Sequence, residues 1–171
     1  MTHPFHDEFV ELFHINFRRL YRYLDRLSGD PDLAADLAQE TFIRLYRRRS
    51  APDRPAAWLI TVATNLFRNA RTKDVRRLRL LSPARAEETL PQPAPTPAQS
   101  AESRNTRRRV RAVLDGMPER ERRLLLLQAE GYAYRDIAIT LKLNEASIGT
   151  LLARAKKMFR GLYEDTTDAP R

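Results

Sequence analysis

Apolar residues along this chain recur at the period of an α-helix, and no stretch carries the alternation of a strand. Phe9, Leu12, Phe13, Leu20, Tyr21, Leu24 and Leu27 define a first helix that Gly29 ends. Asp30 then offers an N-cap and Pro31 a first helical residue. The next stripe is Leu33, Leu37, Phe42, Leu45 and Tyr46, closed by "RRRSAPDRP", where Pro52 and Pro55 forbid continuation. Pro55 opens a third helix with Trp58, Leu59, Val62, Ala63 and Leu66 on one side. Further on, Val110, Val113, Leu114 and Met117 form a stripe that stops at Gly116 and Pro118. Leu124, Leu125 and Leu127 extend that second core to Gly131.

Between the two helical bodies the composition changes. "SPARAEETLPQPAPTPAQSAES", residues 82–103, holds five prolines and no aromatic residue. Such a segment buries too little surface to offset its ordering entropy, and its prolines favour extended backbone. The expected architecture is all-α: a helical domain over 1–81, a linker over 82–103, and a second helical domain over 104–171.

The second domain contains a candidate helix-turn-helix. Counted from Tyr134, the residues Ile137, Leu141, Leu143, Ile148 and Leu151 fall at positions four, eight, ten, fifteen and eighteen. Those are the positions at which the two helices of such a motif bury one another. Ala138 stands at the close approach, and Asn144 can cap the second helix. Lys142 occupies a turn position where glycine is common. The plain alternative is an ordinary antiparallel helix pair. The outer face of the last helix favours DNA. Ile148, Leu151, Leu152, Ala155, Phe159 and Leu162 share one side at about 100° per residue. Ala146, Gly149, Thr150, Ala153, Lys157 and Arg160 share the other, with Arg154 at its edge. A recognition helix presents its first residues to base edges. Small residues there permit close approach, and the cations that follow suit phosphate.

Charge agrees. The 31 Lys and Arg exceed the 22 Asp and Glu, a formal net charge of +9. By segment the net values are +5, −2 and +6, so both helical bodies are basic and the tether is not. A polyanionic partner is expected. The chain has no cysteine, which excludes disulfides and thiolate metal sites. No apolar run reaches membrane-spanning length and the first residues carry no secretory signal, so membrane insertion is not expected and a cytoplasmic protein is.

The first body adds a constellation. "DLAADLAQETFIRLYRRR" carries Asp32, Asp36, Gln39 and Glu40, then turns basic at Arg44, Arg47, Arg48 and Arg49. The third helix ends in Arg68, Arg71, Lys73, Arg76, Arg77 and Arg79. Cations interleaved with Trp58, Phe67, Phe42 and Tyr46 suit single-stranded DNA, although core packing is the simpler role for Trp58 and Phe42.

Three stretches then resemble one family in order and spacing: "DLAQETFIRLYR", "RPAAWLITVATNLFRNA" and "LDGMPERERRLLLLQAEGYAYRDIAITLKL" with "SIGTLLARAKK". Together they are similar to a bacterial extracytoplasmic-function (ECF, group IV) sigma factor of the sigma-70 family, over nearly the whole chain. The resemblance implies a first domain that docks on the clamp helices of the largest subunit of core RNA polymerase. Its contacts would be Asp36, Gln39, Glu40 and Phe42. It implies capture of a flipped −10 base by the loop from Arg48 to Arg54, with Asn65, Arg68 and Arg71 on the separated strand. It implies that the second domain sits at the polymerase flap region and reads the −35 element of promoter DNA. There the contacts would be Tyr134, Arg135, Ser147, Gly149, Thr150, Arg154 and Lys157. The chain departs from the family at Arg135, where an acid is common, and at Gly149 and Leu151, where many members carry Lys and Arg. Few long donors remain for bidentate base contacts, which moves weight to backbone fit and shape. Family members are often held by an anti-sigma factor.

An enzyme is not expected. His3, His6 and His14 all lie near the N-terminus, and five glycines form no phosphate loop. Asp32, Asp36 and Glu40 have no histidine near them to complete a metal site. No cofactor is implied. The rival reading is a stand-alone helix-turn-helix transcriptional regulator whose first domain serves dimerisation or effector binding.

Overall fold

The computed structural model describes residues 4–80 and 101–168. Seven α-helices and one 3₁₀ turn account for the secondary structure of the described residues, which include no strand. They belong to two compact units, one carrying α1–α3 and one carrying α4–α7.

The first unit is built from α1 (Pro4–Ser28), α2 (Pro31–Arg48) and α3 (Pro55–Leu80). Leu20, Tyr23, Leu24 and Leu27 of α1 are buried with Ala34, Leu37, Ala38 and Leu45 of α2 and Ala57, Leu59, Ile60, Ala63 and Phe67 of α3. Small residues at Ala34, Ala38 and Ala63 let the helices approach. Within this core the Tyr23 hydroxyl lies 3.3 Å from Thr64 Oγ1, joining α1 to α3. Tyr21, expected inside, is only half-buried; its neighbour Tyr23 takes the core position.

The turns follow from local chemistry. Gly29 adopts φ 71°, and its N–H donates to the Asp25 carbonyl at 2.8 Å. Asp30 Oδ1 then accepts from the N–H groups of Asp32 and Leu33, each at 3.0 Å, and so caps α2. At its other end α2 stops on Arg49, which takes the left-handed conformation at φ 59°. Pro52 is buried in the loop that follows, and the Arg54 carbonyl accepts from Trp58 N–H at 3.0 Å as α3 begins.

The second unit comprises α4 (Ala101–Gly116), α5 (Glu119–Ala129), α6 (Tyr134–Leu141), a 3₁₀ turn (Glu145–Ser147) and α7 (Ile148–Asp168). The linker expected over 82–103 lies outside the described residues up to position 100. Its last three residues, 101–103, form the first turn of α4. The core gathers Val113, Leu114, Met117, Leu124, Leu126, Leu127, Tyr132, Ile137, Ala138, Ile148, Leu152 and Ala155. Leu126 is buried where Leu125 was expected; Leu125 is half-buried.

Two helix ends share one hydrogen-bond scheme. After α5, Tyr132 N–H reaches the Leu127 carbonyl at 3.2 Å and Gly131 N–H reaches Gln128 at 3.0 Å. After α6, Leu143 N–H reaches Ala138 at 2.8 Å and Lys142 N–H reaches Ile139 at 3.3 Å. Both are Schellman ends with one residue in the left-handed region. Gly131 fills that slot at φ 77° after α5; Lys142 fills it at φ 56° after α6. The turn between the motif helices thus has the backbone that glycine usually serves, with a lysine in its place.

Candidate nucleic-acid interface

Three surfaces carry the residues singled out in the sequence. The first is the outer face of α2. Asp36 and Gln39 are exposed, and Glu40 is half-buried with Oε1 accepting from Arg44 Nε at 2.9 Å. Ile43, 43% exposed, extends the same stripe. Phe42 is the most deeply set residue beside it. Its ring is 3% exposed, with Phe9, Phe13 and Phe17 ring centroids at 6.3, 5.1 and 5.7 Å. The helical period turns Phe42 into the α1–α2 seam, so it supports this surface from behind. Tyr46, read from the sequence as core, is 52% exposed and meets Phe9 edge-on at 5.1 Å. Phe9, Phe13, Gln39, Phe42, Ile43, Tyr46 and Arg47 line a shallow apolar groove there. The stripe period overlooked Ile43, although it follows Asp36 and Glu40 at helical spacing.

The second surface runs from the end of α2 onto α3. Arg48 and Arg49 are exposed, and Arg54 is half-buried. On α3, Asn65, Arg68 and Arg71 are all exposed and step around the helix in threes, covering about 120° of its circumference. The Arg71 guanidinium sits 5.7 Å from the centroid of the buried Phe67 ring. Trp58 is half-buried. Every residue from 71 to 77 is exposed, so this end of α3 presents Arg71, Lys73, Arg76 and Arg77 at the surface.

The third surface is the helix-turn-helix. Ile137 and Ile148 are fully buried and Ala138 is 4% exposed, so the two helices close as the spacing requires. Leu141, Leu143 and Leu151 are half-buried at the margin of that contact. Asn144 Oδ1 accepts from Ala146 N–H at 3.0 Å, capping the 3₁₀ turn that leads directly into α7. On α7 the faces separate cleanly: Ile148, Leu152 and Ala155 are buried, while Gly149, Thr150, Ala153, Arg154 and Lys157 are exposed. Ser147 is half-buried. Tyr134 and Arg135 open α6 beside this face, both exposed. A Cβ added at Gly149 would lie 3.9 Å from Tyr134 Cε2. At its far end α7 is tied down: the Arg109 guanidinium of α4 stacks 4.4 Å from the Tyr163 ring centroid.

An exposed helix face of small residues followed by cations, borne on a closed helix-turn-helix, has the form of a DNA-binding surface. Comparison with known proteins makes this specific. Residues 12–77 match the family model for sigma-70 region 2, and residues 107–159 match that for sigma-70 region 4. The ECF RNA polymerase sigma factor EcfG of Rhodopseudomonas palustris is 32% identical over 145 residues, covering 81% of this chain and 76% of EcfG. SigE of Mycolicibacterium smegmatis is 30% identical over 145 residues, which is 83% of this chain but 56% of SigE. SigM of Bacillus subtilis is 26% identical over 160 residues, 90% of this chain and 93% of SigM. Among solved structures, RpoE of Bartonella quintana, in complex with the anti-sigma factor NepR, superposes with a TM-score of 0.68 at 19% identity, covering 92% of this chain and 98% of that one. CnrH, in complex with the cytosolic domain of CnrY, gives 0.63 at 20% identity, covering 93% and 89%. The chain belongs to the sigma-70 family and, within it, to the ECF RNA polymerase sigma factors. No helix among the described residues is long and apolar enough to cross a membrane.

Proposed function

We propose that this sigma factor acts in the cytoplasm as a non-catalytic specificity subunit, dividing two tasks between its units. The first unit docks on the clamp helices of core RNA polymerase through Asp36, Gln39 and Glu40. Ile43 adds apolar area and Phe42 holds the helix in place. Carboxylates on an exposed helix pair well with arginines of a partner helix. The loop from Arg48 to Arg54 takes up a flipped −10 base, and Asn65, Arg68 and Arg71 hold the separated strand. Taking one base out of the stack costs a few kcal/mol, and binding energy from polymerase and strand offsets it. The second unit, at the polymerase flap region, lays the start of α7 in the −35 major groove. Tyr134, Arg135, Ser147, Gly149 and Thr150 lie toward the bases, and Arg154 and Lys157 toward phosphate. An anti-sigma factor is the expected restraint, as NepR is seen with the Bartonella RpoE.

The observation that carries this reading is the pairing of region 2 and region 4 in order on one chain, each on its own basic helical unit. Run-off transcription from a promoter library with bacterial core polymerase tests it. The expected result is start-site selection that needs both the chain and core. Tight, polymerase-independent duplex binding without start-site selection would instead identify a stand-alone regulator.

A further inference from the structure

Gly149 is the second residue of α7. A glycine inside a helix is less favourable than almost any other residue, so its presence calls for a reason. The fold supplies none. Gly149 has no positive φ, and a Cβ there would meet only Tyr134 Cε2, at the ordinary contact distance of 3.9 Å. Gly149 lies in an open, shallow depression of about 620 Å³, lined by Tyr134, Asn144, Glu145, Ala146 and Gly149, and the missing side chain leaves its backbone approachable there. One wall is the Tyr134 ring, 45% exposed at the start of α6. Beside that ring Gly149 contributes no side chain and Ala146 only a methyl. The Asn144 side-chain oxygen is already engaged in capping. Glu145 is the one charged group lining the depression. A carboxylate at the rim and no cation among the lining residues disfavour a phosphate. An apolar wall beside small residues, on the face turned to the major groove, fits the one apolar group that bases display there, the C5-methyl of thymine.

We propose that Tyr134 and Gly149 together form a thymine-methyl pocket, and that this contact sets base preference where a long donor at position 149 is missing. The proposal rests on the reading of α7 as the −35 element's reader. Tyr134 thereby becomes a specificity-determining residue contributed by the first motif helix.

The test uses the full chain with core polymerase on a promoter selected from the library, each upstream thymine replaced in turn by deoxyuridine, which removes only the methyl group. In the wild-type protein, one position is expected to lose binding about three- to fivefold, the worth of one buried methyl. Tyr134→Phe keeps the wall and the effect. Tyr134→Ala removes the wall and Gly149→Leu covers the backbone beside it; both reduce the effect below about twofold. Both sites are exposed, so neither change threatens the fold, and Gly149→Leu is expected to raise the unfolding temperature. Full uracil sensitivity in Tyr134→Ala, or no sensitive position in the wild type while scrambling the whole upstream element still abolishes initiation, overturns the pocket alone. Initiation indifferent to scrambling overturns the reading of α7 as well.

Discussion

Lys142 is one residue whose cost is local and measurable. It holds the left-handed slot of a Schellman end at φ 56°, where a Cβ crowds the following carbonyl. Lys142→Gly relieves that crowding and loses part of the gain to the greater entropy of the unfolded chain. Stability is expected to rise by about 0.5–1 kcal/mol, seen as a higher midpoint in thermal or urea unfolding of the second unit. Phe42 shows the reverse. Buried against Phe9, Phe13 and Phe17, its change to Ala is expected to cost about 3–5 kcal/mol. Polymerase binding is then lost together with helical circular dichroism, whereas Gln39→Ala weakens binding and leaves the spectrum unchanged. The sequence suggested both residues as special, because a lysine stood where glycine is common and an aromatic stood beside the acidic face. It did not separate contact from support at Phe42, because neighbouring helix positions differ by about 100° and only packing decides which one turns inward.

At the scale of the element, helix starts were legible wherever a residue carries its own stereochemistry. Asp30, Pro31, Pro55 and Asn144 all act as their side chains dictate. Ends set by composition were less legible. The linker was bounded by proline content, yet "AES" after the last proline is free to be helical and opens α4. Tyr46 and Ile43 escaped for a related reason: an apolar stripe marks a core only when another element covers it, and α1 leaves part of this one open. The exposed run of α3 makes a functional prediction at this scale. Arg68→Ala with Arg71→Ala replaces two exposed side chains, and exposed charge contacts are each worth about 1 kcal/mol or less, so the fold is expected to persist. Open-complex formation, read by permanganate reactivity of the melted strand, is expected to fall at least about tenfold, the worth of one charge-assisted hydrogen bond. Binding to intact duplex is expected to fall less. Equal loss in both assays would reduce α3 to general electrostatic attraction.

On the proposed reading, the clamp-helix contacts and the upstream-duplex contacts lie on different units, and the two are expected to fail separately. Glu40→Lys replaces an ion pair with Arg44 by a like charge, a change of about 0.5–1 kcal/mol for an i,i+4 pair at a helix surface. The chain is expected to stay folded and bind duplex DNA while no longer co-purifying with core polymerase. Arg154→Ala is expected to leave co-purification intact, weaken binding to upstream duplex, and lower the slope of log K against log salt by about 0.9, one phosphate contact. Retention of the full slope would place Arg154 away from the backbone. Family and architecture were legible at this scale because motif order survives where single positions drift. The preferred bases were not, because this recognition helix departs from the long side chains that usually announce them.

The clean division of α7 has a consequence for engineering. Ile148, Leu152 and Ala155 bear the packing, and Gly149, Thr150 and Ala153 bear none. These exposed positions are therefore open to wholesale randomisation with little effect on folding. Libraries at those three sites should yield mutually insulated switches that recruit one polymerase to different synthetic promoters.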